Sequence, residues 1–104
     1  MHRRGGLPAG RQVRLPPSAL NFLILFYVYA ISSQVRNYIY VGLASNPDRR
    51  FQEHNKGFER TTKPYRPFRR ILLEEFETRS EARKQEKYLK TGIGKEYLKS
   101  KRDA

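Results

Sequence analysis

The sequence predicts an α+β fold in which a three-stranded antiparallel sheet is flanked by helices. Three segments are rich in β-branched and aromatic residues, as strands are, while two others begin with residues that cap helices. A short, mostly polar segment separates the first two strands, which favours an antiparallel hairpin. A chain of 104 residues can bury one small core, so a single domain is expected.

The strands are predicted from apolar and aromatic runs over Phe22–Ser32, Tyr38–Leu43 and Arg69–Phe76. The first run is apolar almost throughout, as expected for a strand that is covered on both faces. Gly42, in the second strand, indicates either a close backbone approach or a sharp exit from the strand. The hairpin formed by the first two strands would bring Tyr29 and Tyr40 near each other.

The first helix is predicted over Pro47–Lys56. Asn46 is a good N-cap, proline suits the first helical position, and Gly57 can end the helix. The loop that follows carries basic residues between aromatic ones. The basic residues could pair with the phosphates of a nucleic acid, and the aromatic rings could stack on its bases. The alternative is that Tyr65 and Phe68 enter the core and the charges are merely solvated.

The second helix is expected to begin after Thr78 and to run to about Lys90. One stripe of its residues has the spacing of an inward face. This stripe is formed by Ala82, Gln85, Glu86 and Leu89. After a break at residues 91–94, a short basic third helix is predicted over Lys95–Lys101.

Composition and charge favour a polyanionic partner. Residues 1–20 contain four arginines, no acidic residue and many glycines and prolines, so they are expected to be a disordered basic extension to a domain over residues 21–101. Without those arginines, the net charge falls only from +12 to +8. Nucleic acid is the first candidate partner, with a solvated basic surface or adhesion to ribosomes or membranes as alternatives.

No membrane partner and no disulfide are expected. The apolar run Leu20–Ile31 is well short of the ~20 residues that span a bilayer. The chain has no cysteine, which is compatible with a reducing compartment, and a cytoplasmic localisation is the expectation. The sequence leaves the oligomeric state open.

Three residues around the second strand and first helix suit phosphate chemistry. The strand delivers Tyr40 to the edge of a helix on which Arg50 and His54, four residues apart, share one face. Glu86 is a fourth candidate because burying a carboxylate costs several kcal/mol unless it is paired or bound to metal. From the residues alone, an ion pair with Arg50 or a nearby lysine is favoured over a metal for Glu86.

The landmarks of this chain resemble those of the GIY-YIG nuclease family. Tyr27-Val28-Tyr29 stands where the family has its first triplet, and Tyr40-Val41-Gly42 stands for the second. Arg50 fits the family's arginine, and Glu86 fits its metal-binding glutamate. The resemblance covers residues 26–100 and is closest to the small stand-alone members, through Glu53-His54-Asn55, Glu81-Ala82-Arg83 and Lys90-Thr91-Gly92.

The resemblance implies a divalent-metal-dependent endonuclease that hydrolyses DNA phosphodiesters. Structured or damaged DNA is one candidate substrate, and the sequence leaves the DNA structure open. Tyr40 would help to activate the nucleophile with support from Tyr29, and Arg50 would stabilise charge in the transition state. His54 would act as general base or proton relay, with a surface histidine as the alternative. One Mg²⁺ or Mn²⁺ ion, arriving with DNA, would bind Glu86.

The residues expected to bind nucleic acid are Arg49, Arg60, Lys63, Tyr65, Arg66, Lys95 and Lys99. DNA is the expected partner, and RNA stays open. Two other classes of function remain alternatives. One is a nucleic-acid-binding module that has the same fold but does not cut, and the other is a ribosome-associated or structural RNA binder.

Overall fold

The computed structural model describes residues 24–104, so the predicted extension over residues 1–20 lies outside the described residues. Within residues 24–104 there are three strands, three α-helices and one 3₁₀ turn. Along the chain they are β1 (Phe26–Ser33), β2 (Ile39–Ala44), α1 (Pro47–Lys56), the 3₁₀ turn (Lys63–Tyr65), β3 (Phe68–Phe76), α2 (Arg79–Leu89) and α3 (Gly92–Arg102).

The strands form one antiparallel sheet in the order β2-β1-β3. This confirms the predicted α+β class, with a three-stranded antiparallel sheet and flanking helices. β1 is central and buried along most of its length, as its almost wholly apolar sequence predicted. In the β1–β2 hairpin, Tyr29 pairs with Gly42 and Ile31 pairs with Tyr40.

The two faces of the sheet carry different cores because alternate residues of a strand point to opposite sides. Val28 and Ala30 join an aliphatic core with residues of α2 and α3. Tyr29 and Ile31 join a second, aromatic core with Phe68, against which Tyr40 and residues of α1 and the 3₁₀ turn pack. Helix α1 therefore covers one face, while α2 and α3 cover the other.

Helix α1 has the bounds that its capping residues predicted. The Asn46 side chain accepts a hydrogen bond from the Arg49 N–H at 3.2 Å. Gly57 ends the helix in the left-handed conformation at φ 82°, which glycine adopts without strain. The residues of α1 are thus fixed by local sequence, and this places Arg50 and His54 relative to the hairpin.

The strand boundaries differ slightly from the prediction. β1 begins at Phe26 rather than Phe22, and Ile24 is two-thirds exposed. β2 begins one residue late because Tyr38 still belongs to the turn, where its N–H donates to the Arg36 carbonyl. β3 begins one residue early, at the buried Phe68.

Helix α3 begins at Gly92, whereas residues 91–94 were predicted to be a break. The Thr91 side chain caps the helix by accepting a hydrogen bond from the Gly94 N–H at 3.2 Å. Gly94 is buried where α3 crosses the end of α2, and a β-carbon there would lie 2.5 Å from the Leu89 Cα. The second glycine therefore serves close packing. Across residues 24–104, no helix has the length and apolarity needed to cross a membrane.

The contrast between the two glycines of α3 gives a stability prediction. Gly94→Ala is expected to lower the free energy of unfolding by about 1–3 kcal/mol because the new methyl group would press on the backbone of α2. The matched control is Gly92→Ala, which meets nothing within 4 Å and is expected to raise stability by up to about 1 kcal/mol. Urea unfolding of both variants measures the difference, and equal midpoints would contradict this account of the helix crossing.

Candidate active site

Three aromatic side chains from different elements meet on the α1 face of the sheet. The Tyr29 and Tyr40 ring centres are 6.3 Å apart, which confirms the predicted proximity of these tyrosines. The His54 ring centre lies 4.9 Å from that of Tyr40 and 5.9 Å from that of Tyr29. The β1–β2 hairpin and α1 thus build an aromatic cluster of Tyr29, Tyr40 and His54.

Gly42 makes room for the Tyr29 ring. The two residues are paired across the hairpin, and a β-carbon at position 42 would lie 2.5 Å from the Tyr29 Cζ. Real β-carbons essentially never approach other atoms so closely. Of the two roles considered for Gly42, the close approach is therefore the one that the structure has, and its partner is the Tyr29 side chain.

His54 is fully buried, so the alternative of a surface histidine is wrong. Its Nε2 lies 3.0 Å from the Tyr29 hydroxyl, and its Nδ1 lies 2.8 Å from the Thr62 hydroxyl. The Thr62 hydroxyl donates its hydrogen to the Glu59 carbonyl at 3.4 Å, which leaves it an acceptor for His54. We assign the proton to Nδ1 on this network, so that Nε2 accepts from Tyr29.

Thr62 is a site residue that sequence reasoning missed. It is fully buried between the end of α1 and the 3₁₀ turn, and it fixes the tautomer of His54. A threonine in a polar loop gives no sequence signal of burial. Its only hint is that it lies eight residues after a histidine, which is a spacing without a regular structural meaning.

Burial favours the neutral forms of Tyr29 and His54. Burial, and next the negative charge that Tyr40 can carry, raise the pKa of Tyr29 to about 12. The positive charge of nearby Arg50 opposes this shift. Burial, and next the Arg50 charge, lowers the pKa of His54 below its usual value. Tyr29 is therefore a neutral hydrogen-bond donor to a neutral imidazole.

Arg50 lies beside this cluster and is held by two carboxylates. Its guanidinium is 2.6 Å from a Glu53 oxygen and 3.8 Å from a Glu59 oxygen. Neighbouring Arg49 is 3.2 Å from the other Glu53 oxygen and is far more exposed than Arg50. Hydrogen bonds from Arg50 and Arg49 hold the pKa of Glu53 below its usual value. The predicted Arg50 is thus oriented by acidic partners and still partly open to solvent.

A small cavity of about 270 Å³ opens between the end of β2 and the start of α1. It is lined by Ala44, Ser45, Asn46, Arg49 and Arg50. Two guanidinium groups and the positive end of a helix border this space, and both features favour an anion. The predicted nucleic-acid contact Arg49 and the predicted catalytic Arg50 therefore face one common cavity.

Glu86 lies on α2 with its side chain only 12% exposed. Its Oε2 is 3.2 Å from the Lys90 ammonium, and its Oε1 is 3.7 Å from the Arg83 guanidinium. The nearby-lysine ion pair considered for this residue is thus present, while Arg50 pairs with other carboxylates. The Oε1 atom is buried and accepts no hydrogen bond from the part of the chain that the structure describes.

The surroundings of Glu86 fit one hard divalent cation. Oε1 lacks a hydrogen-bond donor and could ligate an ion. The described residues contain no group of three or more His, Cys, Asp or Glu side chains that could hold a metal. A site at Glu86 would therefore have at most one other such ligand from the described residues, and magnesium accepts sites with few protein ligands when water and substrate phosphate complete its shell.

The other predicted nucleic-acid contacts lie around the 3₁₀ turn and on α3. Arg60, Lys63 and Arg66 are exposed around the 3₁₀ turn, and Lys95 and Lys99 lie on α3. Tyr65 stacks on Tyr38, with ring centres 3.9 Å apart and planes 9° from parallel. One face of the Tyr65 ring is therefore covered by protein. Phe68 is buried, as the core alternative for this residue required.

The sequence model of the GIY-YIG catalytic domain matches residues 25–99. The chain therefore belongs to the GIY-YIG family. Proteins of this family are endonucleases that generally depend on a divalent metal, so membership implies nuclease-type activity on nucleic acid. No match was found among curated proteins.

The burial of His54 predicts a pH-dependent stability. An unfolded histidine titrates near 6.5, whereas folded His54 takes up its proton only at lower pH. Between those two pKa values, the unfolded chain binds more protons. The contribution of buried His54 to the free energy of unfolding is therefore complete above pH 6.5. It is lost as the pH falls through the pKa of His54 in the folded protein.

Urea unfolding of the wild type and His54→Gln at several pH values between about 7.5 and about 5 measures this contribution. The wild type is expected to lose up to about 1.4 kcal/mol more per pH unit than the variant. His2 is common to both proteins and cancels in the comparison. If the free energy of unfolding of both proteins changed with pH in parallel, burial would not perturb the pKa of His54.

Proposed function

We propose that this domain is a divalent-metal-dependent endonuclease that hydrolyses DNA phosphodiester bonds. One observation carries the proposal: two strands and one helix bring Tyr29, Tyr40 and His54 together beside Arg50, within a GIY-YIG domain. The net charge of +12 supports a polyanionic substrate.

Tyr40 is the tyrosine that a phosphate group can reach. It is half-buried and borders an open cleft, whereas Tyr29 is 2% exposed. Tyr40 would lie at the attacking nucleophile and help to activate it. Tyr29 would act through position instead, because its hydroxyl is bound to His54 and its raised pKa keeps it protonated. His54 would fix the Tyr29 ring by accepting the hydrogen bond from its hydroxyl.

Arg50 would stabilise the charge that develops on the phosphoryl oxygens. A guanidinium oriented in advance is effective because it need not reorganise during the reaction. Glu53 supplies that orientation through its 2.6 Å contact. The longer 3.8 Å contact with Glu59 is the one that a phosphate would replace most easily.

Glu86 would hold the divalent cation. When bound, the cation would add positive charge against the phosphoryl oxygens. Lys90 contacts Glu86 and also lines the cleft that Tyr40 borders, so the carboxylate is one side chain away from that cleft. A phosphate that attracts Lys90 would weaken its hold on Glu86. This exchange would favour metal binding together with DNA.

A nucleic-acid-binding module that does not cut is the second candidate. The observation in its favour is that Arg50 and Glu86, the two charged residues of the proposed chemistry, both stand in ion pairs with other side chains. If those pairs persist in the complex with DNA, neither residue is available for cleavage. Binding and cleavage must therefore be measured side by side.

Cleavage by site variants is expected to separate these two functions. Tyr40→Phe and Glu86→Gln should each lower the cleavage rate by about 10²-fold or more while binding persists, because each removes a group used only in the reaction. The substrates are labelled single-stranded, duplex, flap and branched DNA and a matched RNA, each with Mg²⁺ or Mn²⁺. The preferred substrate names the structure that is cut.

The controls for this assay remove the same chemical groups outside the site. Tyr27→Phe removes a β1 hydroxyl that bonds Glu75, and Glu81→Gln removes an exposed carboxylate of α2. Both are expected to cut like the wild type. Tight binding by the wild type without cleavage of any substrate would establish the binding module, and undiminished cleavage by both site variants would refute the assigned residues.

Metal binding without DNA is expected to depend on Lys90. Lys90→Gln removes a cation from the Glu86 carboxylate and should raise Mn²⁺ affinity about twofold to fivefold, as an exposed ion pair contributes up to about 1 kcal/mol. Electron paramagnetic resonance titration of Mn²⁺ measures this directly. Lys87→Gln on the same helix should leave the affinity unchanged, and Glu86→Gln should abolish it. Equal affinities for all four proteins would rule out Glu86 as the ligand.

A further inference from the structure

A cleft of about 480 Å³ runs between β2 and α3. One wall is residues 37–41, at the start of β2, and the other holds Lys90, Lys95, Leu98 and Lys99. We propose that this cleft binds the sugar–phosphate backbone of the substrate strand on one side of the bond that is cut. The position relative to the cut rests on the proposed nuclease function, while the binding itself does not.

The charges around the cleft favour an anion. Three of the residues that line the cleft are lysines, and no lining residue is acidic. Lys90 contacts Glu86 at 3.2 Å and Lys99 contacts Glu96 at 3.4 Å, but both lysine side chains stay about half exposed. Exposed pairs of this kind are weak, so a phosphate can replace them. Among the described residues, no carboxylate lies within ion-pair distance of Lys95.

The backbone of β2 adds hydrogen-bond donors to the cleft. In residues 24–104, β2 is an edge strand, since only β1 pairs with it. Ser33 donates its N–H to the Tyr38 carbonyl, so the alternating ladder turns the backbone of Tyr40 toward β1. The N–H groups of Ile39 and Val41 therefore point outward along the cleft. Backbone N–H groups of this kind often contact phosphates.

The cleft leads directly to the candidate active site. Tyr40 lines it and belongs to the aromatic cluster, and Lys90 connects it to Glu86. Tyr38 also lines it, and the Tyr38 ring stacks on Tyr65 of the basic loop. Tyr40 thus lies between two basic surfaces, the lysines of the cleft and the exposed cations near the 3₁₀ turn. A strand that contacts both surfaces would pass over Tyr40.

A nucleic acid strand suits the cleft better than the other anionic occupants. The partly exposed apolar side chain of Ile39 offers contact to sugars, while the lysines offer contact to phosphates. An acidic peptide that adds a strand to β2 is the rival occupant. Residues 1–23 of the chain carry four arginines and no acidic residue, so their charge does not match the cleft. The test below includes the acidic peptide.

The first experiment compares two double variants with the same loss of charge. Lys95→Gln/Lys99→Gln removes cations of the cleft, and Lys84→Gln/Lys87→Gln removes exposed cations of α2 that do not line it. Fluorescence anisotropy with a labelled single-stranded oligonucleotide gives Kd over a range of salt. The cleft variant should bind about tenfold more weakly. The slope of log K against log salt concentration should become shallower by about 1.4, which is ~0.7 for each of two lost phosphate contacts. Equal losses in both variants would overturn the proposal.

The second experiment locates the strand. Because the chain has no cysteine, Asn37→Cys places a single thiol at the mouth of the cleft, and Lys84→Cys places one elsewhere. A tethered iron–EDTA group at position 37 should cleave the oligonucleotide backbone on one side only of the enzyme's own cleavage position. Cleavage at position 84 should be absent or unbiased. The same unbiased pattern from both positions would refute the assigned path.

The outcomes separate this proposal from the nuclease function. If the wild type cuts nothing but the cleft variant still loses binding, the cleft stands and the nuclease function fails. If the wild type cuts and the cleft variant binds normally, the nuclease function stands and the cleft proposal fails. If poly-glutamate displaces the oligonucleotide and binds more tightly through Lys95 and Lys99, the occupant is an acidic peptide and the proposal is wrong.

Discussion

The arrangement of the candidate site depends on one contact, between the Tyr29 ring and the backbone of Gly42. The ring lies across the neighbouring strand, where any side chain would collide with it. This position sends the Tyr29 hydroxyl to the buried His54, which in turn bonds Thr62. Gly42 makes room for Tyr29, and hydrogen bonds then join Tyr29, His54 and Thr62 in a line. These contacts connect strands β1 and β2, helix α1 and the loop after it.

The site divides into a neutral interior and a charged rim. Tyr29, His54 and Thr62 are buried, satisfy one another's hydrogen bonds and carry no net charge near neutral pH. Arg50 and Glu86 carry charge, keep some exposure and are balanced by ion pairs with neighbouring side chains. Such a division is physically economical because burying an unpaired charge costs far more than burying a satisfied polar group. The interior fixes geometry, and the rim can exchange partners with a substrate.

The sequence predicted those parts of the molecule that local chemistry determines. The bounds of α1 followed from Asn46 and Gly57, and the hairpin followed from two β-rich runs with a short turn between them. The burial of His54 could not be predicted from local sequence. It depends on contacts with Thr62 and with Tyr29, which lies 25 residues away. Gly94 was misinterpreted for a similar reason. A glycine near a helix end usually signals a stop, whereas its role in α3 is set by contact with α2.

Among residues 24–104, β2 pairs with one strand only, and its open edge has a consequence for the free protein. An unpaired edge strand invites the same edge of a second copy to pair with it, and proteins commonly discourage this with charge. Here the lysines of the cleft stand beside that edge, so a pair of copies would bring six ammonium groups together. The cleft lysines would therefore keep the molecules apart in solution while they attract a polyanion. Their replacement by neutral residues would remove both effects, so solubility and substrate binding would decline together.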